Sequence, residues 1–270
     1  MDLGLRDAAV VVNGGTKGMG RAAAECFAAD GAKVCVLARG QVGIDETVAV
    51  LRELGSPDAW GVPTDLTARP SVEAAFAAVG ERWGALNTLV NAAGPVDVGI
   101  GTFDTVDDDE WMATFDIGTM SAVRCVRAAL PWLRAAEWAR IVNVSAHSTK
   151  RQSPEIVAYT AAKAAMTSLS KNLSRWLADD GILVNTVSPG SFLSAGMVGY
   201  LEALPAERAV DPTSLTDAMR VIREDFGHPA HLPRAGDPAE IGPVIAFVGS
   251  RVNSYMTGAD VNVDGGSDFC

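Results

Sequence analysis

The chain has 270 residues, of which 48% are hydrophobic and 20% are charged, and its formal net charge at pH 7 is −11. Such a composition can bury a substantial core, and the excess of acidic residues argues against a nucleic-acid partner. The opening stretch, MDLGLRDAAVVV, holds too short an apolar run for a signal peptide or a membrane span, so we expect a soluble, cytoplasmic protein with no membrane partner. A reducing compartment also suits the cysteines, which lack metal-ligand spacing: Cys26, Cys35, Cys125 and Cys270.

Short β-branched runs alternate with alanine-rich stretches along the chain. Most runs are continuously apolar, which is typical of strands buried on both faces of a parallel sheet. The alternation of strands and helices predicts an α/β fold with helices on both faces of that sheet. The predicted strands cover residues 9–13, 33–38, 59–64, 88–94, 140–145, 183–188 and 259–264.

Residues 191–238 interrupt this alternation with five prolines and several glycines. Loops of this length inside a compact domain are usually functional or mobile. We interpret this segment as a lid over a substrate site within a single nucleotide-binding domain of residues 1–270, the alternative being a solvated excursion.

A glycine loop, NGGTKGMGR at residues 13–21, follows the first predicted strand and opens the first helix. Gly14, Gly18 and Gly20 have a spacing that lets backbone N–H groups approach a pyrophosphate at the helix N-terminus. A Walker P-loop is excluded, because Arg21 and Ala22 occupy the positions where its lysine and hydroxyl are required.

The end of the second predicted strand indicates which dinucleotide the loop binds. An NAD site usually carries a carboxylate there for the ribose 2′-OH, whereas this chain has Ala38 and Arg39. Lys17 adds a second cation in the glycine loop. Two cations suit a 2′-phosphate, so the sequence predicts a preference for NADP(H), with NAD(H) possible and ordinary surface cations as the alternative.

Tyr159 and Lys163 are four residues apart in a stretch, 158–178, with a helical pattern that places them on one face. A free tyrosine has a pKa of about 10. A neighbouring ammonium lowers that pKa, so that the phenol can act as a general acid or base on a carbonyl–alcohol pair.

These pieces, in this order, make the chain resemble the short-chain dehydrogenase/reductases over essentially its full length. The resemblance implies a Rossmann-type doubly wound parallel sheet of about seven strands, hydride transfer between nicotinamide and a carbonyl or alcohol carbon, and a homotetramer or homodimer. The matching motifs are NGGTKGMG at 13–20, DL at 65–66, NAAG at 91–94, VNVS at 142–145, YTAAK at 159–163, NTVSPG at 185–190 and TGADVNVDGG at 257–266.

By this resemblance Tyr159 is the proton donor in reduction, and Lys163 binds the nicotinamide ribose and lowers the pKa of the tyrosine. The other implied cofactor contacts lie in the glycine loop, at the strand ends beside the adenine and along the cofactor, and in the turn at the carboxamide end. The full implied cofactor set is Gly14, Thr16, Lys17, Gly18, Met19, Gly20, Arg39, Asp65, Leu66, Asn91, Ala92, Gly94, Tyr159, Lys163, Pro189, Gly190, Phe192 and Ser194.

The chain departs from the family pattern at three positions. Asn13 replaces the usual threonine of the glycine loop, and we expect its side chain to bond to the backbone instead. Ala92 replaces an asparagine. Gly118 stands where the family often has an asparagine that positions a water in a proton relay behind the lysine, and glycine has no amide to supply.

The serine that polarises the substrate oxygen in the family usually lies thirteen residues before the tyrosine, and here that residue is Ala146. Some relatives use a separation of fourteen, which selects Ser145. That serine directly follows the VNV strand, at the sheet edge where ligands bind. We therefore predict Ser145 as the third catalytic residue, with Ser148 as the alternative.

The resulting prediction is an NADP(H)-dependent carbonyl reductase or alcohol dehydrogenase, with a 3-oxoacyl-thioester reductase as an alternative. A cofactor-binding sensor or assembly protein with weak catalysis is the alternative of another class; Gly118 and Ala146 favour it, and the intact Tyr–Lys pair opposes it. No metal site is expected, since His228 and His231 form an HxxH without a third ligand nearby.

Overall fold

The computed structural model describes residues 2–95, 98–227 and 229–267. In this part of the chain seven parallel strands form one sheet in the order β3-β2-β1-β4-β5-β6-β7, so the strand order reverses between β1 and β4. The predicted Rossmann-type α/β fold is confirmed. The strands are β1 (Ala9–Asn13), β2 (Lys33–Ala38), β3 (Ala59–Pro63), β4 (Thr88–Asn91), β5 (Ala139–Val144), β6 (Ile182–Pro189) and β7 (Asp260–Val263).

Helices cover both faces of the sheet, because successive residues of each strand bury their side chains in opposite cores. Val10 and Val12 pack into the core on one face, and Val11 packs into the core on the other. The first face carries α1 (Gly18–Ala29), α2 (Gln41–Glu53) and α9 (Pro238–Val248), and the second carries α3 (Arg69–Trp83), α5 (Ser121–Ala135) and α6 (Val157–Trp176). None of the helices in the described ranges has the length and hydropathy that a membrane span requires.

A row of amides closes the second face at the carboxyl edge of the sheet. Asn13, Asn91 and Asn143 are in register on β1, β4 and β5. The Nδ2 of Asn13 donates to the Oδ1 of Asn91 at 2.5 Å, and the Nδ2 of Asn91 donates to the Oδ1 of Asn143 at 2.7 Å. Asn143 in turn donates to the Ser170 hydroxyl on α6 at 2.8 Å. The row therefore joins three strands to α6 with neutral groups.

The segment at residues 191–238 contains α7 (Ala195–Glu202) and α8 (Leu215–Val221) and buries a core of its own. The Tyr200 hydroxyl donates to the Asp225 carboxylate at 2.8 Å within it. The Ser153 hydroxyl donates to the Phe226 carbonyl at 3.4 Å, which ties the segment to the loop before α6. The buried members of this separate core are Leu201, Ala218, Met219, Val221, Ala230 and Ala235.

Candidate active site

The predicted catalytic pair lies on the first two turns of α6, beside the carboxyl ends of β4 and β5. The Nζ of Lys163 is 5.9 Å from the ring centroid of Tyr159. Lys163 is only 3% exposed, and its ammonium donates to the carbonyl of Val144, the last residue of β5, at 2.8 Å. The structure thus brings the tyrosine and the lysine together at the edge where ligands bind in such sheets.

Burial determines the protonation states of this pair. It raises the pKa of Tyr159 to about 12 and lowers the pKa of Lys163 to about 8. Loss of solvent is the cause of both shifts, and the lowering of the phenol pKa by the ammonium stays a prediction. At neutral pH the phenol is protonated and the lysine is charged, which are the states required to donate a proton in reduction.

The Ser145 hydroxyl has both of its hydrogen-bond partners on α6. Ser145 is buried at the end of β5, and its Oγ donates to the carbonyl of Lys163 at 3.0 Å and lies 2.8 Å from the Oγ1 of Thr167. A contact with a substrate oxygen would require this hydroxyl to leave one of those partners. Ser148 is 2% exposed, and its Oγ has no hydrogen-bond partner among the described residues.

The glycine loop has the shape of a dinucleotide cradle. Gly14 has a φ of +69°, and a Cβ added to it would lie 2.8 Å from the backbone nitrogen of Ala93. A Cβ on Gly20 would lie 2.4 Å from the carbonyl of Gly14, whereas one on Gly18 would meet no atom closer than 3.9 Å. Helix α1 begins here without a side-chain cap, so its N–H groups can bind a pyrophosphate. The loop therefore fits the predicted cofactor, and Thr16, Lys17 and Met19 lie in the same turn.

The residues predicted near the adenine and its ribose lie in the glycine loop and in the turns after β2 and β3. Lys17 and Arg39 are exposed, as a contact with a 2′-phosphate requires. Asp65 is exposed and Leu66 is buried in the turn after β3. A hydrogen bond from the Thr67 hydroxyl lowers the pKa of Asp65, and Arg39 is close enough to lower it further.

The amide of Asn13, which replaces the usual threonine of the glycine loop, bonds to the backbone of the neighbouring turn. Its Oδ1 accepts hydrogen bonds from the backbone N–H groups of Ala92 and Ala93 at 2.9 and 3.0 Å. The expected side-chain bonds to the backbone are confirmed, and they connect the glycine loop to the turn after β4. Gly94 ends that turn, where an added Cβ would lie 3.1 Å from the Nζ of Lys163.

The residues predicted at the carboxamide end lie in the turn after β6. The N–H of Gly190 donates to the carbonyl of Val263 at 2.9 Å, and Phe192 packs into the core beneath the first face. The Ser194 hydroxyl accepts from the N–H of Met197 at 3.2 Å and so caps α7. Pro189, the last residue of β6, precedes this turn.

His147, between the two candidate serines, could face either substrate or solvent by its sequence position alone. A lone histidine in a loop is more often exposed, but His147 is buried, and its Nδ1 lies 3.2 Å from the carbonyl of Pro189. The structure therefore places His147 inside the protein, directly after Ala146 and against the end of β6.

Within the described ranges, no group of three or more His, Cys, Asp or Glu side chains is arranged to hold a metal ion. His228, half of the HxxH pattern, and Cys270 lie outside the described residues.

Comparison with known proteins gives matches along almost the whole chain. A family model described as enoyl-(acyl carrier protein) reductase matches residues 14–268. The oxidoreductase YvrD of Bacillus subtilis is 31% identical over 98% of this chain and 98% of its own length. The 3-oxoacyl-[acyl-carrier-protein] reductase FabG of Vibrio cholerae is 28% identical, again over 98% of each chain.

Among solved structures, the L-sorbose reductase of Gluconobacter frateurii, in complex with NADPH and L-sorbose, superimposes with a TM-score of 0.91 at 26% identity. The match covers 99% of this chain and 98% of that one. These matches span almost the whole chain, which accordingly belongs to the short-chain dehydrogenase/reductase family, oxidoreductases that act on CH–OH and C=O groups with NAD(P).

Proposed function

We propose that the protein is an NADP(H)-dependent oxidoreductase that interconverts a carbonyl compound and a secondary alcohol. The observation that carries this proposal is the position of Tyr159 and Lys163 on one face of α6, with the Lys163 ammonium beside Gly94 in the turn that the glycine loop contacts through Asn13. A protonated phenol and a charged ammonium at neutral pH favour reduction as the direction that needs no prior deprotonation.

The bound dinucleotide supplies or accepts the hydride, and the residues of the chain handle the proton. In reduction the Tyr159 phenol donates its proton to the carbonyl oxygen, and in oxidation the phenolate accepts the proton of the alcohol. The Lys163 ammonium, held by the carbonyl of Val144, stabilises the phenolate that remains after proton donation.

Of the two serines weighed as the group that binds the substrate oxygen, Ser148 is the better supported. Its buried hydroxyl lacks a partner among the described residues, and a buried hydroxyl left unbonded is costly unless a ligand satisfies it. Ser145 already has two partners on α6, so its predicted contact with substrate competes with existing bonds.

Three observations support the preference for NADP(H). Arg39 and Lys17 are exposed beside the cofactor cradle, and α2 begins after Gly40 without a side-chain cap. The structurally similar L-sorbose reductase was solved with NADPH. A cationic side chain and uncapped N–H groups together suit a 2′-phosphate.

The likeness to FabG keeps a 3-oxoacyl thioester among the candidate substrates.

The proposed homotetramer is supported by the apolar side chains exposed around α4 (Asp108–Phe115), because Phe103 and Met112 are 78% and 70% exposed. Residues 191–238 are proposed as the lid that shapes the substrate pocket.

The function is tested by following NADPH and NADH oxidation with a panel of ketones, sugars and 3-oxoacyl thioesters. We expect NADPH-dependent reduction of at least one class, and a Tyr159→Phe variant that binds NADPH normally but has lost turnover by about 10²-fold or more. A wild-type protein that binds NADPH and reduces nothing in the panel would instead support the sensor or assembly role.

A further inference from the structure

The helix after β4 contains a π-helical turn, Asp116–Met120, between α4 and α5. Such turns are frequent at functional sites. Its middle residue, Gly118, is buried against α6, where an added Cβ would lie 3.0 Å from the Cβ of Ala162 and 3.5 Å from the Cδ of Pro95. A longer side chain at this position would displace one of those two neighbours.

The next residue makes a hydrogen bond that the close approach permits. The Thr119 hydroxyl donates to the carbonyl of Ala162 at 2.7 Å, and both residues are buried. Ala162 directly precedes Lys163 on α6. The bond therefore fixes the helical turn that carries the ammonium.

Pro95 links the packing of Gly118 to the Lys163 ammonium itself. Pro95 is buried next to Gly118 and directly follows Gly94, whose added Cβ would lie 3.1 Å from the Nζ of Lys163. Movement of Pro95 would therefore change the space around the ammonium itself.

The π-helical turn is also anchored at its outer end. The Arg124 guanidinium pairs with the Asp116 carboxylate at 2.5 Å and donates to the carbonyl of Leu66 at 3.2 Å. Leu66 lies in the turn predicted to flank the adenine. The π-helical turn is thus bonded both to α6, next to Lys163, and to the turn after β3 at the predicted adenine site.

We propose that Thr119 is a positioning residue for Lys163, and that Gly118 is the small residue that makes its contact with Ala162 possible. In this chain the pair takes the place of the asparagine that the family resemblance implies at position 118. The inference rests on the proposed role of Lys163 in binding the cofactor ribose and assisting Tyr159.

The test compares Thr119→Val, which keeps the shape but removes the hydroxyl, with Thr119→Ser, which keeps the hydroxyl. NADPH dissociation constants are measured by fluorescence across pH 6–10, together with melting temperatures. We expect Thr119→Val to weaken NADPH binding about two- to tenfold and to shift the pH midpoint of binding, as loss of one buried hydrogen bond near the ammonium predicts. Thr119→Ser should match the wild type in both respects.

A purely structural threonine would lower the melting temperature of Thr119→Val but leave the affinity and the pH midpoint of the folded protein unchanged, and that result would overturn the inference. An equal loss in Thr119→Ser would overturn it as well.

A second variant covers the case in which Thr119→Val does not fold. We expect Gly118→Asn to bind NADPH more weakly than the wild type, and Gly118→Asn with Pro95→Ala to recover part of the loss. A Gly118→Asn protein that binds NADPH as tightly as the wild type, or turns over faster, contradicts the inference. Because binding needs no substrate, a wild type that binds NADPH but reduces no carbonyl counts against the proposed function alone.

Discussion

The Ser145 hydroxyl donates a hydrogen bond to the backbone carbonyl of Lys163, 3.0 Å away on the helix that carries Tyr159. Because its second partner, Thr167, is also on α6, we expect Ser145→Ala to lower turnover by less than about tenfold, whereas loss of a direct oxyanion-type donor costs about 10²-fold or more. Steady-state kinetics of Ser145→Ala and Thr167→Val measure this. A loss of turnover of about 10²-fold in Ser145→Ala, without a similar loss in Thr167→Val, would instead support direct contact of Ser145 with the substrate oxygen.

Ser148→Ala should behave in the opposite way. The substitution removes a buried hydroxyl that has no partner in the described part of the chain, so the melting temperature should stay the same or rise. Turnover should fall by about 10²-fold if this hydroxyl binds the substrate oxygen. Normal turnover in Ser148→Ala would remove this residue from the mechanism.

Lys163→Met should stabilise the protein while abolishing turnover. Burial lowers the pKa of Lys163 from 10.5 to about 8, so keeping the folded lysine charged costs on the order of 3 kcal/mol. The gain in melting temperature should be fully present below pH 8. It should shrink as pH rises from 8 to 10.5, where the folded wild type has lost this proton and the unfolded chain still holds it.

Lys171→Met is the matched control, because Lys171 is exposed on the same helix and donates to the carbonyl of Gly258. Melting temperatures of the two variants across pH 6–10 provide the comparison. Equal changes in both variants would show that the burial of Lys163 carries no such cost.

Arg39→Ala should weaken NADPH binding by about 10- to 100-fold, as loss of a charge-assisted hydrogen bond predicts, and should leave NADH binding nearly unchanged. Arg175→Ala, at an exposed position near the end of α6, is the control for general charge effects. Fluorescence titration with both dinucleotides measures the affinities. A wild type that binds NADH at least as tightly as NADPH would end the NADP(H) proposal.

Asn13→Thr should fold but lose about 1–3 kcal/mol of unfolding free energy. The threonine hydroxyl ends one bond closer to the backbone than the amide, so it cannot reach both the N–H groups after β4 and the Asn91 oxygen that Asn13 bonds. Urea unfolding of Asn13→Thr and of Asn172→Thr, an exposed control, measures the difference. Equal stability of Asn13→Thr and the wild type would mean that the bond from Asn13 to Asn91 adds nothing to the free energy of unfolding.

The sheet was predictable because its strands are buried on both faces. The bounds of β1 and β2 coincide with the predicted 9–13 and 33–38, since each is a short and almost entirely buried run of mainly apolar residues. Helix α6 occupies Val157–Trp176 against the predicted 158–178. The order of short motifs was enough to identify the family.

The geometry around the site was less predictable because it depends on contacts between distant parts of the chain. The partners of the Ser145 hydroxyl lie 18 and 22 residues further along the chain. Gly118 has no side chain by which a motif could show that it packs on Ala162. The pKa of Tyr159 depends on how much protein surrounds the phenol, which the spacing of Tyr159 and Lys163 does not encode.

Within residues 191–238, six apolar side chains are buried in a cluster separate from the two cores of the sheet, whereas Phe192 belongs to the core on the first face. Substitutions inside that cluster therefore affect a small local unit and leave the packing under the dinucleotide cradle unchanged. Such a unit can open and exchange its amide hydrogens with solvent independently of the sheet. For the proposed lid, this means that substrate selectivity can diversify in evolution without loss of the nucleotide-binding half of the molecule.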